Sequence, residues 1–511
     1  MRQFVRRSVL SVVLASSATS GAFAQGGTSA DSAAVRRDSI AAAALAAAPV
    51  APPAPGAPVT AASANREAHF WLPVYEIIGF LAINNVAARI MYPNEREDGI
   101  KVYSSTFKST WNHITVQRWV YDIDPFNTNQ FQHPFQGASM YGFARSSGHG
   151  FWPSMIYSNV GSFMWKMAGE TDPPSINDII TTGQAGSILG EAMYRMADLV
   201  MRDSGATGPS IFRQVASGVL SGGVNRRILG NHFAPHLPDS LPYFFWQMRF
   251  GASMDALARD VSTPTSLFLR RDATADFGIA YGLPGRYGYT YTRPFDYFDF
   301  ESSVLLSSVS NFIETINVRG LLAGEKTKDT DNSRGIWGLY GSFDYISPFL
   351  FRVSSTALSL GTTREYKLGG GVALQGSLLA GAGFGAAGST TIIASTPANA
   401  AIRDYHFGIT PQALLNLRLL AGERGFLDMN FRDYYVSGVG SDDSRGVERI
   451  FRGDIGATIR FYKGNALGLK YAYSTRSASY GTLPPQASQE GSFTIVYTIL
   501  GSRTFGTGEW K

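Results

Sequence analysis

Seven polar residues in the first half of the chain have the types and spacing to do chemistry: His133, Arg145, Glu170, Asn177, Asp178, Glu191 and Arg195. A histidine beside a carboxylate is the commonest general acid–base pair, so His133 and Glu191 are the first catalytic candidates. Glu191 and Arg195 are four residues apart and share a helix face, which Asp198 and Arg202 extend. Leu189, Met193, Met196 and Val200 form the opposite, apolar stripe. One reading is a solvated ladder of charges, each pair contributing about 0.3–0.5 kcal/mol. The other is a closed cluster, paired because it is buried. Gly183, Gly186 and Gly190 lie just before these charges and let a neighbouring backbone approach. The expectation is therefore that Gly190 touches another helix and that Glu191 is buried, with Arg145 as its partner.

A second constellation is "SSGHG", Ser146 to Gly150, with "NRRILGNHFAPH" further on. The first resembles the second motif of acid-phosphatase-type lipid phosphatases, and Arg226 followed by His232 has the spacing of the third. The resemblance would make His149 and His232 candidate catalytic groups. It is incomplete: His236 stands where that family carries Asp, and the Lys and Arg-Pro of the first motif are absent, leaving a phosphate few partners. His69 and His113 lack partners at metal-ligand spacing, and no HExxH, P-loop or GxSxG signature occurs. With no cysteine in 511 residues, thiolate chemistry and disulfides are excluded. No metal and no cofactor is expected.

The elements that must position these residues are helical. "ETDPPSINDIITTGQAGSILGEAMYR" reads as a helix start, with Ser175 as cap and Asp178 answering it in a loose capping box. "FWLPVYEIIGFLAINNVAARI" is about as long as a membrane is thick, but Glu76, Asn84, Asn85 and Arg89 interrupt it, favouring a buried or interfacial helix. "PFQGASMYGFARSSG", "FWPSMIYSNVGSFMWKMAGE" and "SIFRQVASGVLSGGVNRRILG" supply further helices. Residues 66–236 thus form a helical domain. Residues 1–24 read as a signal peptide, with early arginines, an apolar core and Ala-Phe-Ala before the cleavage point. Residues 25–65 are an Ala/Pro-rich linker without the composition for a core.

From about residue 240 the hydrophobic period changes to two. In "DIGATIRFYKGNALGLKYAYSTR", Ile455, Ala457, Ile459 and Phe461 share one face, and Asp454, Thr458, Arg460 and Tyr462 the other. After a Lys463-Gly464-Asn465 turn, Leu467, Leu469, Tyr471 and Tyr473 alternate with Lys470, Ser474 and Arg476. Trp337, Leu339, Phe343 and Tyr345 repeat the pattern, as do Phe493, Ile495 and Tyr497. Only 16% of residues are charged and 13% are aromatic, with 55 glycines, a composition that suits a transmembrane barrel. The fold class is α+β: an N-terminal helical domain, then a transmembrane antiparallel β-barrel of roughly 12 strands over residues 240–505. "GEKTKDTDNSRG", "GSTTIIASTPANAAIRD" and "GVGSDDSRGVER" are its candidate outer loops.

"DPFNTNQFQHPFQGASMYGFARSSG", "FWPSMIYSNVGSFMWKMAGETDPPSINDIITT" and "GSILGEAMYR" resemble an uncharacterised bacterial envelope family, domain of unknown function 3943. "RPFDYFDF", "INVRGLLAG" and "GLYGSFDYIS" are similar to its barrel half. The resemblance spans about residues 102–388 and departs at Lys166, where the family's pattern carries Glu; any site built on a carboxylate there loses it. It implies a Gram-negative outer-membrane protein and brings no established activity. The function expected is an outer-membrane barrel with a helical domain facing the periplasm, serving envelope structure or the passage of a small or lipid-like molecule. The alternative is an envelope enzyme acting on lipids, hydrolase- or phosphatase-like, anchored by the barrel. The expected partners are outer-membrane lipids and an envelope protein. The small net charge of +5, with no basic block, gives no sign of nucleic acid.

Overall fold

The computed structural model describes residues 68–202, 211–221, 242–501 and 505, apart from 94–95, 98–99, 123, 259–266, 287, 307–311, 349, 389–404, 440–445 and 481–482. The signal peptide, the linker and "NRRILGNHFAPH", with Arg226, His232 and His236, lie outside the described residues.

The second half is a closed barrel of twelve antiparallel strands. They are β1 (Tyr243–Ala258), β2 (Leu267–Leu283), β3 (Phe298–Leu305), β4 (Ile313–Lys326), β5 (Ser333–Ile346), β6 (Arg352–Gly369), β7 (Val372–Gly388), β8 (Tyr405–Ala421), β9 (Gly425–Val436), β10 (Gly446–Tyr462), β11 (Asn465–Tyr480) and β12 (Leu483–Leu500). Each pairs with the next, and β12 pairs with β1 from Gln489–Ala258 to Leu500–Gln247. Closure removes the sheet edges, as a membrane requires. The alternation works as the sequence suggests: Ile459, Leu469 and Tyr497 point out and are exposed, whereas Thr458 and Thr498 are buried inside. Tyr462 departs from it. A register shift between Arg460 and Tyr462 turns this residue outward, where it is exposed.

Antiparallel connections alternate between the two ends of a barrel. One end carries the tight turns after β6, β8 and β10 and both ends of the barrel chain; we call it the terminal end. The opposite, distal end carries the β7–β8 and β9–β10 connections. "GEKTKDTDNSRG" joins β4 to β5 and therefore belongs to the terminal end, with the tight turns. It does not share an end with the other two segments read as outer loops, because strand parity decides the side and polarity does not.

The lumen is filled. Side chains on strands that are not neighbours meet across it: Arg432 with Glu301 and Arg452 with Glu314, each at 3.0 Å, and the Tyr434 hydroxyl donating to Asp344 at 3.0 Å. Towards the terminal end an apolar cluster that includes Phe245, Tyr297, Tyr340, Phe426 and Phe505 closes the bore. Leu350, Phe351, Tyr434 and Ile450 form another at the distal end. The cavities left between them measure about 10–50 Å³, room for a few waters.

The first half folds as α1 (Trp71–Met91), α2 (Phe107–Thr115), α3 (His133–Ser146), α4 (Phe151–Ala168), α5 (Gly186–Arg202) and α6 (Ile211–Leu220). Two π-helical stretches interrupt the series: Thr128–Gln132 leads into α3, and Ile179–Ala185 leads into α5. Ser175 precedes the second without making a side-chain cap. The expected capping box does not form, because Asp178 is taken by His133 and Lys166. Gly186 and Gly137 lie so close that a Cβ on Gly186 would meet the Gly137 Cα at 2.7 Å, and one on Gly190 would meet the Tyr141 ring at 2.8 Å. Glycine at these positions lets α3 and α5 pack backbone to backbone.

These helices are not beside a mouth of the barrel, where a periplasmic domain was expected, and among the described residues none enters the lumen. They form a layer against the outer wall. Ile188, Leu189, Met193 and Met196 of α5 share one apolar core with the outward-facing Ile279, Phe300, Val318, Phe343 and Tyr345 of β2 to β5. Phe126 packs on Tyr345 and Tyr405 with ring centroids 5.7 and 5.4 Å apart, and Tyr121 stacks on Phe384 and lies tilted against Phe407. Phe343 and Tyr345 thus face outward yet are fully covered. The opposite face of the layer exposes Trp71, Tyr75, Ile78, Trp152, Ile156, Val160 and Phe163. By length and composition α1 could cross a membrane, and most of it is unburied, which sets aside the buried option of the two expected, buried or interfacial. Of its polar residues, Asn85 donates through Nδ2 to the carbonyls of Gly169 (2.6 Å) and Tyr103 (3.2 Å).

Candidate functional site

The polar residues singled out above separate into two buried clusters at opposite ends of the layer. The first binds α3 to α5 and both to the terminal end of the barrel. The Glu191 carboxylate receives Arg145 Nε at 2.7 Å and Nη2 at 3.0 Å, Arg195 Nε at 2.9 Å and the Tyr141 hydroxyl at 2.7 Å. Arg195 also donates to the Asp296 carboxylate at 3.2 Å and the Pro294 carbonyl at 2.6 Å, both in the β2–β3 loop. All the charges here are buried, so the solvated-ladder reading does not hold. Two guanidiniums on one carboxylate, with Asp296 as the second anion, form a neutral and fully engaged network, and no face of Glu191 is left for a substrate. This cluster ties layer to wall.

The second cluster lies where α3 begins, near the distal end. His133 Nδ1 is 3.0 Å from Asp178 Oδ1. Lys166 bonds Asp178 and, at 2.8 Å, Glu170. Asn177 Nδ2 donates to Asp178 at 2.7 Å and to Asp122 at 3.2 Å. Asn129 links Asp122 to the Tyr405 hydroxyl of β8, which in turn donates to the Asp124 carbonyl at 2.7 Å. His133 directly follows one π-helical stretch and Asp178 directly precedes the other. Such widened turns recur at functional sites. Here they aim the two side chains at each other from different helices.

Electrostatics follow from this packing. Burial alone would push the His133 imidazole down; the adjacent Asp178 carboxylate more than offsets it and holds His133 above its ordinary value. Burial would raise Asp178, but His133 and Lys166 hold it well below the usual carboxylate range. Asp122, desolvated and close to Asp178, is pushed up to about 6. Lys166 loses solvation but gains Asp178 and Glu170, and is held above its ordinary value.

His133 opens onto a cavity of about 160 Å³ between α1, α3 and α4. Phe80, Ala88, Met91, Phe135 and Trp165 are its apolar lining, and Asp124, Gln132, His133, Gln136 and Glu170 are among its polar lining. With Nδ1 held by Asp178, His133 has Nε2 left for whatever occupies the cavity, the arrangement of a positioned acid–base group. His149 is elsewhere: its ring lies 4.9 Å from Tyr157 and its carbonyl accepts from Arg145. Of the "SSGHG" motif, Ser147 bonds the Phe143 carbonyl of its own helix. Among the described residues, no three metal-ligating groups converge.

Sequence reasoning brought His133, Glu170, Asn177 and Asp178 forward but did not separate them from the Glu191 cluster. It missed Asp122, Asp124, Asn129 and Asp296. The acid-x-acid-Pro pattern of "DIDP" was the available signal for the first two. Lys166, noticed only as a departure, is the cation around which Glu170 and Asp178 gather.

Residues 118–222 match the family model described as domain of unknown function (DUF3943), so the resemblance read from the motifs is met there. No curated protein matches the chain. Among solved structures the barrel overlaps the NanC porin (TM-score 0.24, 6% identity, 48% of this chain and 98% of that one). It also overlaps an outer-membrane channel from Pseudomonas putida F1 (0.27, 10%, 52% and 98%) and the P. putida toluene transporter TodX (0.20, 10%, 52% and 90%). Likeness at this level has no bearing on transport or substrate.

Proposed function

We propose that the protein is an outer-membrane barrel that works at its flank and not through its bore: a sealed scaffold holding a helical layer in contact with lipid. The observation that carries this is the filled lumen, apolar at both ends and cross-linked by ion pairs between. The outer wall supports the membrane assignment. Ile455, Ile459, Leu467, Leu469, Phe493 and Ile495 make a continuous exposed apolar surface that water would penalise by about 25 cal/mol per Å². The exposed aromatic and aliphatic face of the layer extends that surface. Short turns at the terminal end support placing it in the periplasm, with the distal end outside. The His133 cluster then lies towards the outer leaflet, and outer-membrane lipids are the partner the flank is built for.

The test is planar-bilayer conductance of the purified, heat-modifiable protein. Wild-type protein should give no steady conductance. Removing the inner plug residues Phe245, Phe426 and Phe505 together should open steps if the plug is the seal. Regular ohmic steps from the wild type would return the lumen-passage reading. The second reading, an envelope enzyme acting on lipids, is favoured by one observation: a carboxylate-held histidine facing a cavity in a lipid-side layer. Altered lipid A or phospholipid species in a deletion strain, restored by wild type and not by His133→Gln, would establish it.

A further inference from the structure

The cavity at His133 has a length and a two-sided lining, apolar on one wall and polar on the other, that neither the seal nor the flank scaffold requires. Along α1 its lining runs from Phe80 to Met91, about 16 Å at the helical rise. That matches one leaflet's half of a hydrocarbon core about 30 Å thick. The apolar side is mostly that of α1, with Asn84 set in it, and the polar groups line the facing wall, from Thr128 through Gln132, His133 and Gln136 to Ser139. There the ionised groups already have partners, His133 with Asp178 and Glu170 with Lys166. What this wall presents instead is uncharged hydrogen-bonding capacity: the side chains of Thr128, Gln132, Gln136 and Ser139. To these is added His133 Nε2, on a side chain nine-tenths buried whose other nitrogen is engaged. An anionic headgroup would meet Glu170; a cationic one would have to displace Lys166 from Glu170 or stand beside it.

We propose that this cavity takes the headgroup-proximal part of one acyl chain of a membrane amphiphile with an uncharged, hydroxyl-bearing headgroup, which hydrogen-bonds His133 Nε2. The proposal rests on the reading that the layer lies in lipid. The chain lies along Phe80, Ala88, Met91 and Trp165, and the hydroxyls meet the imidazole and the Gln132 and Gln136 amides. The geometry is that of a ligand-binding site, mostly apolar with a few convergent polar groups.

The experiment uses the full chain in phosphatidylcholine vesicles. The probes are three spin-labelled amphiphiles with the same stearoyl-length chain: a glycerol monoester, the free carboxylate and a trimethylammonium. The expected result is a saturable, strongly immobilised component of one glycerol ester per protein, with the two charged probes weaker by about tenfold or more. Ala88→Trp and Ala87→Trp, which fill the cavity from α1, should remove that component while the protein keeps its heat-modifiable migration. His133→Gln should weaken it without filling the space. Equal immobilisation of the charged probes, or an unchanged component in both tryptophan variants, overturns the cavity proposal. The weakly immobilised boundary component reports separately on lipid at the flank: its presence without the tight one sinks the cavity alone, and absence of both sinks the flank reading as well.

Discussion

Glu191 sits between two arginines and a tyrosine, with no exposed surface. Replacing it by alanine leaves two buried guanidiniums short of an anion, which typically costs about 3–5 kcal/mol. Glu191→Ala should therefore sharply lower the yield of membrane-assembled protein, and Glu191→Gln, which keeps acceptor oxygen and size, should lower it less. Equal, normal yields would mean the cluster is not holding the layer. His133 and Asp178 give a pH dependence. His133 is held above its ordinary value in the folded chain. Its contribution is then complete below about pH 6.5 and is lost as pH rises through the raised value. Asp178 is held low, so its share is complete above about pH 4 and is lost only far into acid. Thermal unfolding of the layer, followed by tryptophan fluorescence, should weaken on the alkaline side, and His133→Gln should abolish that limb. A limb that persists in the variant would assign it to other groups. The Glu191–Arg195 pair was legible because i,i+4 spacing is local, and the small residues beside it hinted at the Arg145 contact. The Asp122–Asn177 contact, 55 positions apart, was not, since only the docking of the "DIDP" strap beside the π-helical stretch brings the two together.

At the level of elements, period-two alternation located the strands and their faces, but it could not say what would cover an outward face. Ile459 and Phe343 have the same pattern and opposite surroundings, lipid-side exposure and burial beneath α5. Ile459→Arg should cost about 2–4 kcal/mol if near mid-bilayer, read as lost barrel assembly. Phe343→Ala should cost about 3–5 kcal/mol as a buried cavity, but the loss should fall on the layer: heat-modifiable migration kept, protease sensitivity of residues 118–222 gained. If Phe343→Ala leaves the helical part as protected as in the wild type, the layer does not depend on that wall. The smooth helix read across "INDIITTGQAGSIL" is π-helical over Ile179–Ala185. Composition gives no sign of that extra residue per turn. It arises because Asp178 must reach His133 while Gly186 closes on Gly137.

For the whole molecule, the class and the twelve-strand barrel were readable from composition and alternation, whereas the position of the helices was not. Five helices are too many for a bore of this size, which left the space beyond a mouth as the natural expectation. The aromatic residues that draw them to the side are the same ones that read as lipid contacts. The chain has no cysteine, so an introduced pair reports without background. With Ile188→Cys on α5 and Gly341→Cys on β5, whose Cβ position lies 3.4 Å from the Ile188 side chain, a short bis-maleimide should join layer to barrel in intact cells. Failure to cross-link in correctly assembled protein would place the helices elsewhere. The shared core of α5 and the wall has one more consequence, for the order of biogenesis. The helices are translated first, yet part of the surface that buries their apolar stripe is supplied by strands translated later. They cannot complete their fold before those strands are in place, so the first part of the chain to be made is the last to reach its native state.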